Sequence, residues 1–154
     1  MNNFGERTSP PHAPEVLNQL NPDDLSRLSE ILLDAFGTTA ERIDEFVPKA
    51  IDAGHADIIV SRNTTGLIAS VMVVNMLHGT RALFGKIDDV ATHPDSRRQG
   101  HAGVVLDYAL EWFRNRGAEM VMLDSEDDRQ PAHRLYESRG FKRYETNQFH
   151  LDLS

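Results

Sequence analysis

Arg97, Gly100 and Ala102 fit the spacing Arg/Gln-x-x-Gly-x-Gly/Ala, between a stretch rich in Val and Ile and a long amphipathic one. Successive backbone N–H groups at such a helix start point outward and can bind a pyrophosphate. Glycine at position 100 leaves open the space that phosphates need. Just upstream, Asp88 and Asp89 are neighbours on a strand and should face opposite sides of the sheet, so at least one carboxylate is expected to point inward. An unpaired buried carboxylate is costly, so the doublet needs partners, cavity water or a function; the plain alternative is an exposed strand end with both acids solvated.

The elements that must position these groups can be read in order. Residues 16–20 read as a short first strand, and Asn21-Pro22-Asp23-Asp24 supplies an N-cap, a first-turn proline and first-turn acids for a helix. Leu25, Leu28, Leu32 and Ala35 share one face of that helix, and Gly37 ends it. Thr39 caps a second helix carrying Ile43, Phe46, Val47, Ala50 and Ile51, which Pro48 is expected to kink or split, with Gly54 closing the segment. Residues 56–62 and 67–77 read as antiparallel strands joined by a turn at Asn63-Thr64-Thr65-Gly66. After a further turn near Gly79 a third strand runs over 83–92. Ala102, Val105, Leu106, Ala109 and Phe113 then mark a helix that Gly117 terminates. A parallel strand over 119–124, a helix over 131–139 capped by Gly140, and two last strands at 141–145 and 149–153 complete a mixed α/β arrangement.

Length and composition narrow the function classes. The 154 residues suffice for one domain over 15–154, with 1–14 as a loose, proline-containing tail that is neither a signal peptide nor an anchor. There is no Cys, which excludes disulfides, zinc–thiolate sites and a Cys nucleophile and suits a reducing compartment; the cytoplasm is the expected location. A net charge of −8 argues against a nucleic-acid partner, and no apolar run suggests a membrane one. Against that acidic background Arg97 and Arg98, with His93 and His101, form a basic patch suited to one anionic cofactor. Gly79 and Gly85-Lys86 fail as a P-loop because five residues separate the glycines and Ile87 follows the lysine. No Gly-x-Ser-x-Gly is present, and the seven His show no metal-ligand spacing, so no metal is expected.

By the Arg97-to-Ala102 spacing in its strand–turn–helix setting, the stretch resembles motif A of the GNAT (Gcn5-related N-acetyltransferase) superfamily. Ala132-His133-Arg134-Leu135-Tyr136-Glu137-Ser138-Arg139-Gly140-Phe141 is similar to the family's Ala-x-x-x-Tyr-Glu-x-x-Gly-Phe signature. The resemblance implies a GNAT (acyl-CoA N-acyltransferase) fold, a mixed and mostly antiparallel sheet flanked by helices, with acetyl-coenzyme A as cosubstrate. It places cofactor contacts at Val90, Ala91 and Thr92, at Arg97, Arg98, Gln99, Gly100, His101 and Ala102, and at Arg129. Backbone N–H groups near Val90 and Ala91 would polarise the thioester carbonyl, and the Tyr136 phenol would protonate the departing thiolate. Arg129 departs from the Asn of many relatives and is read as a phosphate contact.

Ile87-Asp88-Asp89-Val90 also resembles the Ile-Glu-Asp-Val run of glucosamine-phosphate N-acetyltransferases, which makes Asp88 and Asp89 catalytic candidates. Histone-type members carry their base two residues before Asp88, where this chain has Lys86. Asp124 falls where sugar-phosphate relatives place an acid near the amine. With Glu126-Asp127-Asp128 beside it, the acceptor end would carry an acidic field that favours a cation. The expected activity is therefore direct acetyl transfer to a small cationic amine, with a glucosamine-phosphate type enzyme or a non-catalytic coenzyme A-binding module as the alternatives. A homodimer is a possible assembly.

Overall fold

Asn21 and Gly37 bracket the first helix as local capping chemistry dictates. In the computed structural model, which describes residues 13–54 and 56–154, the Asn21 side chain accepts from the Asp24 N–H at 2.8 Å and Gly37 closes the helix in the left-handed region at φ 64°. The expected tail over 1–14 lies almost wholly outside the described residues. The chain divides into two compact units, Met1–Asp124 and Ser125–Ser154.

The first unit contains β1 (Glu15–Val16), α1 (Pro22–Phe36), α2 (Ala40–Asp52), β2 (Ala56–Arg62), β3 (Ile68–His78), β4 (Leu83–Thr92), a 3₁₀ turn (Pro94–Ser96), α3 (His101–Asn115) and β5 (Met120–Leu123). The strands lie side by side in chain order, antiparallel from β1 through β4, with β5 parallel to β4. This is the mixed, mostly antiparallel sheet that the sequence implies. On one face Leu28 and Ile31 of α1 and Ile43 and Val47 of α2 pack with Ile58, Val60, Ile68, Val71 and Ala91. Val105, Leu106, Ala109, Trp112 and Phe113 of α3 are buried, and α3 packs on β2, β3 and β4. Phe113 lies so close over β4 that a Cβ at Gly85 would stand 2.5 Å from its ring.

Several expectations are corrected. The first strand is only Glu15–Val16, and residues 141–154 form no strand. Pro48 does not split α2: it sits on the exposed side, where the carbonyl it leaves unbonded can meet water, while Ile43 and Val47 hold the other side in the core. On α1 the expected face of Leu25, Leu28, Leu32 and Ala35 does meet the core, but only Leu28 of these is fully buried, joined by Ile31 and by the polar Asp24 and Arg27. Arg62 of β2 grips Asp24 at 2.7 and 3.0 Å and Glu15 at 2.8 Å, which supplies the partners that a buried carboxylate requires. The second unit contains one helix, α4 (Gln130–Ser138), followed by Gly140 at φ 90°.

Candidate functional site

β4 changes character at Asp88. Up to Ile87 it is paired with β5 on one side and β3 on the other; from 88 to 92 only the β3 side is paired. On that side Val73 faces Asp88 while Val71 faces Ala91, so two residues of β4 oppose one of β3 and the strand bulges. Asp89 occupies the bulge at φ 48°, a left-handed conformation that Asp tolerates better than most residues. This breaks the strict alternation expected of the doublet. The Asp88 carboxylate accepts from the Asn75 Nδ2 at 3.0 Å. Asp89 keeps much of its surface in solvent, yet the chain around its carboxyl raises its pKa above the ordinary aspartate value, and the charge of Asp88 adds to the effect.

Beyond the bulge the strand end is anchored from β3. The Ser70 hydroxyl lies 3.0 Å from both the Ala91 carbonyl and the Thr92 hydroxyl, and the His93 N–H donates to the Ala69 carbonyl at 2.8 Å. The chain then turns through Pro94–Ser96, takes a left-handed step at Arg98 (φ 59°) and another at Gly100 (φ 84°), and enters α3. No side chain caps α3, and the Val104 N–H donates to the Gly100 carbonyl at 3.2 Å. The N–H groups of His101, Ala102 and Gly103 thus precede that first helical bond, the arrangement that receives an anion. A Cβ at Gly100 would meet nothing within 4 Å, so what demands glycine there is the backbone angle, and the space over the turn is open.

Most of the basic patch has acidic or hydroxyl partners. Arg97 reaches Asp34 of α1 at 2.6 Å, and His93 lies 3.1 Å from Glu30 and 2.8 Å from Asp95. The His101 side chain is buried against the Ser61 hydroxyl at 3.1 Å, and burial lowers its pKa, with the Asp95 charge opposing. Of the four basic side chains, His93 and His101 are therefore engaged inside the fold, Arg97 is exposed and pairs with Asp34 at the surface, and Arg98 is exposed with Gln99, whose amide bonds the Asp95 carbonyl at 3.2 Å. A residue that the motif does not reveal holds the turn in place. Arg27, nearly buried in α1, donates through Nε to the Ile68 carbonyl at 2.8 Å and through one terminal nitrogen to both Asp95 oxygens at 2.8 and 2.9 Å. Hydrogen bonds from Ser96 and then from Arg27 hold the Asp95 carboxyl down to a pKa of about 2.

Lys86 also escaped the motif reading as anything but the absence of a base. It forms an ion pair with Asp124, just past the end of β5, so that carboxylate carries its own counter-charge. In the second unit Arg129 stands immediately before α4, whose start has no side-chain cap. Tyr136 is buried, its ring centroid 5.9 Å from that of Phe141, and burial raises the phenol pKa while the Arg129 charge pulls it down. The Ser125 hydroxyl is buried with no hydrogen-bond partner among the described residues, a polar group that sequence offers no reason to single out. Among the described residues no cluster of three or more His, Cys, Asp or Glu could hold a metal ion, and no helix is long and apolar enough to cross a membrane.

The model of the acetyltransferase (GNAT) family matches residues 25–141, most of the chain. The chain belongs to the GNAT family. N-alpha-acetyltransferase 30 of Schizosaccharomyces pombe is 32% identical over 85 residues, which cover 55% of this chain and 57% of that protein; the match thus spans little more than half of this curated relative. Among solved structures, an acetyltransferase of Trypanosoma brucei is similar at 25% identity and a TM-score of 0.71, over 91% of this chain and 98% of that one. AAC(6')-Iy, solved with the bisubstrate analogue CoA-S-monomethyl-acetylneamine, shares the fold at 13% identity and a TM-score of 0.74, over 92% and 99% of the two chains. Within the GNAT fold of this chain, the first unit brings together the acidic bulge, residues 90–92 and the 97–102 turn, and the second holds Arg129 and Tyr136.

Proposed function

We propose that the chain is an acetyltransferase that moves an acetyl group from acetyl-coenzyme A directly to a primary amine. The observation that carries this reading is a pair of backbone stretches, the edge of β4 at 88–92 that faces away from β3 and has no strand partner among the described residues, and the start of α3, which has no side-chain cap. A strand edge suits the amide-bearing arm of coenzyme A, and helix N–H groups suit its phosphates. The phosphates rest on the backbone of the 97–102 turn and on Arg98, with Arg97 beside it, since its pair with Asp34 is exposed and weak enough to give way to an anion.

In the reaction the amine nitrogen bonds to the thioester carbon, the carbon–sulfur bond breaks, and coenzyme A leaves as a thiolate that takes a proton. An aliphatic amine of pKa about 10 gives up its own proton at a cost of about 4 kcal/mol at pH 7. Asp88, oriented by Asn75, and Asp89, made more basic by its surroundings, accept that proton directly or through water. Backbone N–H groups near Val90 and Ala91 polarise the carbonyl by family analogy. Tyr136, assigned by the same analogy, is protonated at neutral pH; burial weakens it as an acid and the Arg129 charge opposes that, favouring donation to the thiolate. Tyr136→Phe is expected to lower turnover roughly 10²-fold with little change in cofactor affinity, measured by steady-state kinetics beside calorimetry.

The acceptor is a small cationic amine, drawn by Asp88 and Asp89; Asp124 contributes less than its charge suggests because Lys86 offsets it. Similarity to an N-alpha-acetyltransferase favours a second reading, a peptide α-amine, whose pKa near 8 makes deprotonation easier. Release of free thiol from acetyl-coenzyme A, measured with polyamines, amino sugars and peptides bearing free or blocked N-termini, decides between them. Preference for glucosamine 6-phosphate over every non-phosphorylated amine would sink the cationic reading. Cofactor binding without thiol release for any acceptor would leave a coenzyme A-binding module.

A further inference from the structure

Within the first unit, three side chains of α1 reach the turn that leads into α3. Arg27, Glu30 and Asp34 are three and four residues apart and so share one stripe of the helix. They meet Asp95, His93 and Arg97 respectively. The two ends of the stripe differ in burial. Arg27 is 8% exposed where it grips Asp95, whereas Asp34 and Arg97 are 43% and 54% exposed. Water and salt screen the first contact little, while the second is open to exchange.

The 97–102 turn takes two left-handed steps, at Arg98 and Gly100, and no side chain caps the helix it enters, so its shape depends on anchors outside it. Arg27 is such an anchor. The guanidinium that bonds both Asp95 oxygens also donates to the Ile68 carbonyl at the start of β3, which ties the turn to the sheet. A turn held this way presents its N–H groups to an anion without having to be ordered at binding. Asp34 acts in the opposite sense. Its carboxylate lies 2.6 Å from Arg97, where a phosphate oxygen would lie, so an incoming anion must displace it.

We infer that α1 sets the affinity of the anion turn through these two opposed contacts: Arg27 is a positioning residue that raises it, and Asp34 is an internal competitor that lowers it. The inference rests on the coenzyme A site proposed above. Opposite signs from one helix face are its signature, because a purely structural role for the stripe would make every substitution in it neutral or harmful to binding.

Calorimetric titration of the full chain with coenzyme A tests this. Asp34→Asn keeps the shape and frees Arg97, so binding should tighten roughly threefold. Arg27→Lys keeps the charge but cannot bond the Ile68 carbonyl and both Asp95 oxygens at once, so binding should weaken roughly tenfold. Where circular dichroism shows Arg27→Lys to be unfolded, Asp95→Asn removes the same tie from its exposed side and should weaken binding in its place. In protein that also carries Arg97→Gln, Asp34→Asn should bring no gain, since the competitor has lost the group it competes for. Three results overturn the inference while leaving the coenzyme A site standing: no gain from Asp34→Asn, a gain that persists with Arg97→Gln, or parental affinity in the folded Arg27→Lys or Asp95→Asn protein. A parent chain that binds no coenzyme A removes the site itself, and the inference with it.

Discussion

The two halves of β4 are built from the same backbone and serve opposite ends. From Leu83 to Ile87 the strand is closed in on both sides, and Gly85 lets the Phe113 ring lie directly on it. From 88 to 92 one edge is open, the register slips, and Asp89 sits at positive φ. Close packing in the first half fixes the second half without covering it, so polar groups can stay available in a strand that is otherwise core. Strain and an open edge where packing is released are what a binding site needs, and neither would survive in the first half.

Gly100→Val should produce the largest effect, on the open side only. The side chain fills the space over the turn and strains the backbone at φ 84°, so affinity for acetyl-coenzyme A is expected to fall by roughly 10²-fold or more, read by calorimetry. Gly100→Ala carries the same strain with little bulk and separates the two causes. A folded Gly100→Val protein that binds the cofactor as the parent does would remove the turn from the site.

Gly85→Ala tests the closed half. The added Cβ meets the fully buried Phe113 ring at 2.5 Å, and overpacking of this kind costs about 1–3 kcal/mol, seen as a lower midpoint in urea. Cofactor affinity of the folded fraction should stay within about twofold, a difference under roughly 0.5 kcal/mol. A large loss of affinity with unchanged stability would mean that the two halves are not separate in function.

How much of this was legible in sequence follows from how local each cause is. Asn21, Thr39, Gly37 and the Asn63 turn act within a few residues, and the structure places α1, α2, β2, β3 and β4 within a residue or so of their expected bounds. The 97–102 turn was legible because its backbone angles require glycine at position 100. Arg27 was not, since its partner Asp95 is 68 residues away and only the folded α1 brings them together. Lys86 and Asp124 meet only through the parallel register of β4 and β5. The bulge carries no sequence mark beyond an Asp that tolerates left-handed backbone. At the C-terminus the alternation of Phe149, Leu151 and Leu153 reads as a strand, yet the structure forms none there, because alternation by itself does not supply a pairing partner.

Asp95→Asn loosens what holds the open half. It removes the charge opposite the nearly buried Arg27 while keeping the shape, and because Asp95 itself is half exposed the loss should be about 1 kcal/mol at neutral pH. The sign with pH is fixed by the depressed pKa of about 2: the carboxylate stabilises the fold fully above the ordinary value of 3.8 and progressively less as pH falls toward 2. Urea midpoints of parent and variant should therefore differ at pH 7 and converge on acidification. A gap that is constant with pH would assign the effect to shape and not to charge.

The smallest effect, and the one that bears most closely on the comparison, is expected from Asp89→Asn. Its pKa is raised in the fold, first by loss of water and then by Asp88, so the folded state holds the Asp89 proton more tightly than the unfolded chain does. Stability from this group is therefore greatest below the ordinary carboxylate range and declines as pH rises through the folded pKa, the reverse of Asp95. Asn removes the charge and tolerates the same left-handed backbone, so the bulge should persist. The variant should be slightly more stable than the parent at neutral pH, by less than about 0.5 kcal/mol, with the gain vanishing toward acid. If Asp89 works as a base, the same variant loses turnover while it gains stability, which is the signature of a residue retained for function at the expense of the fold. Loss of stability at neutral pH would show instead that the carboxylate holds the bulge together, and the division of β4 into a packed half and a working half would have to be redrawn at Val90.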